Sequence, residues 1–210
     1  TLRAAAALFA GSDSVTREEW RDYVAVLKLE RDYPAMQAVA FARAVSDAEL
    51  ATLVSEVRDS GVADFAMRPP GRRDHYVINV FTEPYGGLNI KALGYDMWQD
   101  ADRRETMQRA RKSGEPTITR RITLKIDEQS NPAPAFIMYL PVPAKSGRGI
   151  YGYVLSPVRM PALMEALFRQ SPRLVSLSIH DGTEPRAENL FYRSAEADNP
   201  VAARFVHSET

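Results

Sequence analysis

Few residues of this sequence combine the types and the spacing that catalysis or metal binding requires. The string Gly147-Arg-Gly149-Ile-Tyr-Gly152 matches G-x-G-x-x-G, in which the last glycine of a dinucleotide site opens a helix that holds the pyrophosphate. Here Tyr153-Val-Leu-Ser-Pro157 follows, which has strand character, so we interpret the match as accidental. The three histidines are isolated, and the sequence has no cysteine, nucleophile elbow or P-loop lysine. It therefore predicts no catalytic site, no metal site and no cofactor.

Four residues are instead candidates for contact with a small molecule. Gly152 interrupts a bulky strand, which marks the close approach of either a ligand or another part of the backbone, and both interpretations stay open. Arg103, Thr119 and Tyr139 would supply the few polar groups that orient a ligand in a mostly apolar pocket. Arg103 lies in the charge-rich run 100–112, whose plainer interpretation is a solvated helix face.

Composition argues against a nucleic-acid partner and indicates a folded globular protein. Lys plus Arg and Asp plus Glu each number 27, and this zero net charge argues against a nucleic-acid partner. A hydrophobic share of 45% with 26% charged residues is typical of a folded globular protein. The sequence contains no run of about 18 apolar residues, the length that a membrane-spanning helix needs. Its 210 residues suffice for one large domain or for two small ones that share a core.

The periodicity of the apolar residues predicts an α+β fold with antiparallel strands. In the first third, Gly11 ends one helix, a capping box of Thr16 and Glu19 begins a second, and Pro34 ends it. The pattern further predicts helices after Ser46, at 102–113 and at 160–168, and strands at 38–42, 76–81, 117–126, 136–140, 150–155, 175–179 and 190–192.

Several segments, in order along the chain, resemble the CHASE domain, the extracytoplasmic sensor module of bacterial histidine kinases, diguanylate cyclases and plant cytokinin receptors. The most specific block runs from Leu93 to Gly114 and begins Leu93-Gly-Tyr-Asp96-Met-Trp. The other matching segments are Leu2 to Ala10, the helix with Trp20, Arg73-Asp-His75-Tyr76 leading into Phe81 and Pro84, Thr119 before a strand with Leu124, and Leu140-Pro-Val142. The resemblance covers nearly the whole chain.

The resemblance implies a long N-terminal helix followed by two PAS-like subdomains. We expect a helical stalk at 1–33, a membrane-distal ligand-binding subdomain at 34–145 and a membrane-proximal subdomain at 146–210. It also implies a homodimer, with a transmembrane helix on each side of the domain outside this sequence. The domain would then be the periplasmic part of an inner-membrane receptor whose cytoplasmic part is a histidine kinase or a diguanylate cyclase. The domain itself would not be an enzyme.

The resemblance also implies a ligand site in the distal subdomain. Matched position by position, the site residues are Phe81, Met97, Arg103, Thr119, Leu124, Tyr139, Ile150 and Gly152. In plant cytokinin receptors a carboxylate that binds the adenine ring occupies the position that matches Arg103. A guanidinium has only donors, so this chain favours an anionic ligand over an adenine-like one.

Two other functions stay open. The first is a periplasmic protein-interaction module whose pocket binds no small molecule. The second is a stand-alone enzyme, which the missing catalytic motifs leave without support.

Overall fold

Three short helices form the N-terminal part of the computed structural model, which describes residues 1–87, 89–124, 132–169 and 177–194. They are α1 (Leu2–Gly11), α2 (Arg17–Val26) and α3 (Leu29–Asp32). The predicted capping box is confirmed, because the Thr16 hydroxyl accepts from the Glu19 amide and the Glu19 carboxylate accepts from the Thr16 amide. This cap starts a new helix after the break at Gly11. The long helix implied by the resemblance is therefore absent from residues 1–33, and that expectation is wrong for this segment.

Six antiparallel strands form the main sheet, in the spatial order β2-β1-β6-β5-β3 with β4 also paired to β5. The strands are β1 (Val39–Ser46), β2 (His75–Glu83), β3 (Thr117–Ile118), β4 (Ile122–Thr123), β5 (Pro134–Pro143) and β6 (Ile150–Arg159). The strand predicted at 117–126 is divided into β3 and β4, because the Arg121 amide donates to Asp181 Oδ2 instead of to a neighbouring strand. Its last two residues lie outside the described ranges.

Side chains that alternate along β1 divide the core into two layers. Phe41 points to the face covered by α1, α2 and α4 (Asp47–Asp59), where it packs with Phe9 and Trp20. Ala40 and Ala42 point to the opposite face, which α5 (Ala101–Ser113) covers. Antiparallel strands with helices on both faces confirm the α+β class.

A second, two-stranded sheet follows the main one. It consists of β7 (Ser178–His180) and β8 (Leu190–Arg193), and with α6 (Met160–Phe168) it surrounds a smaller core. Arg121 links the two sheets, since its side chain also donates to the Leu190 carbonyl at 2.9 Å. The boundary predicted between residues 145 and 146 falls in the turn between β5 and β6, which pair with each other in the main sheet.

Gly152 lies inside the main sheet, paired with Arg43 of β1 and Val142 of β5. A Cβ atom there would lie 2.4 Å from the Ala42 carbonyl oxygen and 2.6 Å from the Phe41 ring. Of the two interpretations left open, the structure supports the close approach of backbone and ring. The G-x-G-x-x-G string spans a turn and the start of β6 and opens no helix, as predicted.

We expect Gly152→Ala to lower the free energy of unfolding by about 1–3 kcal/mol, because the Ala42 backbone cannot withdraw within a paired strand. Urea denaturation measures the change. Gly11→Ala is the matched control: a Cβ there meets nothing within 4 Å, so replacing glycine near a helix end should leave the stability unchanged or raise it by about 0.5–1 kcal/mol. Equal stability of the two variants would contradict the packing assigned to Gly152.

Candidate functional site

A cavity of about 70 Å³ lies between the main sheet, α5 and the segment that joins β2 to α5. Its wall is largely apolar, and the apolar lining residues are Ala38, Ala40, Ala92, Met97, Leu124, Ile137, Leu155 and Pro157. The small side chains of Ala38 and Ala40 leave room above β1, where larger residues would fill it. The polar lining residues are Asn79, Thr82, Asn89, Lys91, Tyr95 and Arg103.

Arg103 is the buried cation of this wall. It is 5% exposed. The side chain of Asp100 caps α5 by accepting from the Arg103 amide, and this bond fixes the first turn of the helix beneath the cavity. The guanidinium carbon lies 5.1 Å from the centre of the Tyr95 ring, and Nε lies 3.7 Å from Asp100 Oδ2. Nε is buried and has no hydrogen-bond partner among the described residues. A buried donor of this kind favours an acceptor on an added molecule.

Tyr139 lies behind Met97 and does not line the cavity. Its hydroxyl donates to the Met97 sulfur at 3.3 Å, and the side chain is fully buried. Burial raises the pKa of the Tyr139 hydroxyl well above its ordinary value, although the nearby Arg103 opposes this shift. The phenol is therefore neutral, and its hydrogen bond helps to hold the Met97 side chain in place at the cavity.

Asn79 of β2 also lines the cavity, and hydrogen bonds fix both its side chain and its backbone. Its side-chain Nδ2 donates to Thr82 Oγ1 at 2.7 Å and to the Ala92 carbonyl at 3.1 Å. Its backbone amide donates to Tyr95 and its carbonyl accepts from Gly94. Both backbone and side chain therefore fix the segment 92–95 over the cavity, while Asn79 Oδ1 is buried without a partner among the described residues.

Asp96 anchors the same segment to the sheet. It is completely buried, and its Oδ1 accepts from the Val77 amide at 3.0 Å and from the Trp98 amide at 3.1 Å. Its Oδ2 lies 3.5 Å from the Arg73 guanidinium. Gly94, two residues before Asp96, has φ +77°. A Cβ atom at this position would lie 2.1 Å from the Ala66 carbonyl oxygen, so the position requires glycine. Asp96 thus positions Tyr95 and Met97, its neighbours in sequence, at the cavity.

The structure brings only part of the predicted site together. Met97, Arg103 and Leu124 line the cavity. Five predicted residues do not line it. Tyr139 lies behind Met97, Phe81 packs on the opposite face of the sheet, and Gly152 faces Phe41. Ile150 pairs with Pro143 at the end of the β5–β6 pair, and Thr119 lines a separate groove between α5 and the smaller sheet.

Thr119 is predicted as a ligand contact from its position in the sequence, but its hydrogen bonds in the structure join two strands. Its Oγ1 accepts from the Ile137 amide and its amide donates to the Ile137 carbonyl, both at 3.0 Å. These bonds use the side chain to hold the end of β3 to β5. Thr119 therefore has a structural role in this geometry and does not line the cavity.

Sequence reasoning missed Asn79, Lys91 and Tyr95 as lining residues. Tyr95 stands inside the Leu93–Trp98 block that carries the resemblance, and Asn79 is a polar residue in an otherwise apolar strand. A buried amide inside a strand is a usable signal, because it must find partners there. No comparable signal marks Lys91.

A family model of the CHASE domain matches residues 13–192 of the 210-residue chain. The chain belongs to the CHASE domain family. CHASE domains are extracytoplasmic sensor domains of signalling receptors and are not catalytic. No curated protein matches the chain. Across the described ranges, no helix of this CHASE domain has the length and hydropathy to cross a bilayer, and no group of three acidic or histidine side chains could hold a metal ion.

We expect Asp96→Ala to lower the free energy of unfolding by about 3 kcal/mol or more. The substitution leaves the amides of Val77 and Trp98 without their acceptor and the Arg73 cation without its partner. Asp96→Asn retains an oxygen for the two amides and removes only the charge, so it should lose less. Chemical denaturation compares the two variants. Equal losses would show that the amide bonds of Asp96 contribute nothing measurable.

His75 gives the domain a pH-dependent stability. Burial lowers its pKa below the ordinary value of 6.5, while the nearby Asp96 opposes this, and the ring contacts Trp98 edge-on at 4.8 Å. Because the unfolded chain binds the proton more readily, this contribution is present above about pH 6.5 and is lost as the pH falls through the folded pKa. We expect His75→Phe, which retains the ring contact, to flatten the dependence of unfolding free energy on pH between about pH 7 and 5. Parallel curves for wild type and variant would refute this.

Proposed function

We propose that this CHASE domain is the ligand-sensing part of a transmembrane receptor and that it binds a small anionic molecule in the cavity beside Arg103. One observation carries the proposal: a buried guanidinium, whose Nε has no hydrogen-bond partner among the described residues and only a 3.7 Å ion-pair contact with Asp100, lines a cavity whose other walls are mostly apolar. A buried cation attracts an anion strongly, because the low dielectric of the interior screens the charges weakly.

The charge of the cavity wall supports an anion over an adenine-like ligand. Two cationic residues, Arg103 and Lys91, are among the described lining residues, and none of these is acidic. A guanidinium donates hydrogen bonds and accepts none, so it pairs with a carboxylate or a phosphate in a forked geometry. Adenine needs both donors and acceptors along its edge, and none of the described lining residues offers it a carboxylate.

The connection between the sheets supports transmission of the binding event. Arg103 lies in the first turn of α5, and further along the same helix Arg109 donates to the Ile118 carbonyl at the edge of the main sheet. Beyond this edge, Arg121 bonds both Asp181 and Leu190 of the smaller sheet unit. A ligand that moves Arg103 would therefore act on α5, which borders the groove between the two sheets.

We extend the proposal to the organisation of the receptor. The main sheet would be the membrane-distal PAS-like subdomain, and α6 with the smaller sheet would belong to the membrane-proximal one. Because β6 pairs within the main sheet, we place the division after β6, near residue 159, and not after residue 145. A periplasmic location, a homodimer and a cytoplasmic histidine kinase or diguanylate cyclase complete the proposal.

Thermal-shift screening of the domain with small anionic metabolites tests the function. A ligand at about 100 times its Kd should stabilise the domain by about 2.7 kcal/mol. Arg103→Met, which retains the length of the side chain and removes its charge, should weaken that ligand at least tenfold by calorimetric titration. Arg111→Met is the matched control, since Arg111 is an exposed cation on the same helix, and it should bind the ligand as wild type does.

Two results would contradict the proposal. Tight binding of an adenine cytokinin by the wild-type domain would refute the anionic ligand. If no small molecule raises the melting temperature while a specific periplasmic protein binds the domain, the protein-interaction function would replace the sensor of small molecules.

A further inference from the structure

The hydrogen-bonding state of Asn79 restricts the chemistry of a molecule in the cavity. The Ala92 carbonyl can only accept, so the amide must direct Nδ2 toward it, and this orientation leaves Oδ1 as an acceptor. Oδ1 is buried and has no partner among the described residues. The other lining amide, Asn89, is satisfied, because it receives a bond from Gln37 and donates to the Pro84 carbonyl. Asn79 therefore offers an acceptor that a hydrogen-bond donor on a ligand would satisfy.

The charge of the wall restricts that donor. A positively charged ammonium on the ligand would share a small cavity with the buried Arg103 guanidinium, and the exposed Lys91 adds a second positive charge at its wall. Like charges so close together in a poorly solvated site repel strongly. The donor that complements Asn79 is therefore a neutral one, such as a hydroxyl.

The size and the apolar wall restrict the rest of the molecule. Sites for drug-sized ligands occupy roughly 300–1,000 Å³, and this cavity measures about 70 Å³. The eight apolar lining residues would leave inorganic phosphate largely unpartnered, whereas a short hydrocarbon chain would contact them. The ligand therefore combines a compact anionic group with an aliphatic body.

We infer that the cavity selects an aliphatic carboxylate that carries a neutral hydroxyl group, the class of the α-hydroxy acids. The inference rests on the proposed function, because it assumes that the cavity binds an anion at Arg103. The carboxylate pairs with Arg103, the hydroxyl donates to Asn79 Oδ1, and the hydrocarbon chain packs among the alanine, leucine and methionine side chains.

Three compounds on one carbon skeleton test this selection: α-hydroxyisocaproate, isocaproate and leucine, which differ only in a hydroxyl, a hydrogen or an ammonium on the α-carbon. Calorimetric titration of the wild-type domain should give the tightest binding for the hydroxy acid. Isocaproate should bind about tenfold more weakly, the loss expected from one hydrogen bond to a buried acceptor. Leucine should bind at least tenfold more weakly than the hydroxy acid, because its ammonium meets the buried Arg103 guanidinium.

Two variants of Asn79 assign the selection to its oxygen. Asn79→Leu removes the acceptor, so the hydroxy acid and isocaproate should bind equally. Asn79→Asp retains an oxygen and adds a negative charge, so leucine should gain at least tenfold relative to the hydroxy acid. Each variant is judged by the ratio of two ligands, which a general loss of folded protein does not change. If neither variant folds, the wild-type series decides alone.

The outcomes separate this inference from the proposed function. Equal binding of the hydroxy acid and isocaproate by the wild type, or tighter binding of leucine, would overturn the inference. If Arg103→Met weakens these ligands alike, the anion site stands. Binding of a different small anion that depends on Arg103, with no binding of the three compounds, overturns the inference and retains the sensor. Failure of every small molecule overturns both.

Discussion

The buried carboxylate of Asp96 is the interaction on which the candidate site depends. It accepts hydrogen bonds from one amide of β2 and one amide of the turn that leads to α5, and it faces the Arg73 cation. A charge taken out of water needs such partners, because an unpaired buried charge costs several kcal/mol. Satisfying the carboxylate therefore fixes the segment between β2 and α5 in one position. The positions of Tyr95, Met97 and the first turn of α5 all follow from this.

The polar side chains of the cavity wall are satisfied to different degrees. Asn89 has partners for both its oxygen and its nitrogen. By contrast, Arg103 Nε and Asn79 Oδ1 are a buried donor and a buried acceptor without hydrogen-bond partners among the described residues. Burying such groups destabilises the free domain. A molecule that satisfied both would recover this free energy on binding, which is the physical basis of a sensor.

The two faces of the main sheet have different tasks. On one face, Phe9, Trp20 and Phe41 form a dense aromatic core beneath α1 and α2. On the other face, the small side chains of Ala38 and Ala40 leave space beneath α5, and this space is the cavity. The dense face holds the sheet in shape, so the loosely filled face can contain a cavity without collapse of the fold.

The sequence by itself determined the local features of this protein. The capping box at Thr16, the helix start at Ser46, the helix from Met160 to Phe168 and the strand types were all readable, because caps and periodicity depend on neighbours in sequence. The family was also readable from the block that begins at Leu93. Only the tertiary structure decided which residues meet. Strand register turned Gly152 toward Phe41 and Asn79 toward the cavity that Arg103 also lines, since a shift of one residue reverses the face that each side chain on a strand occupies.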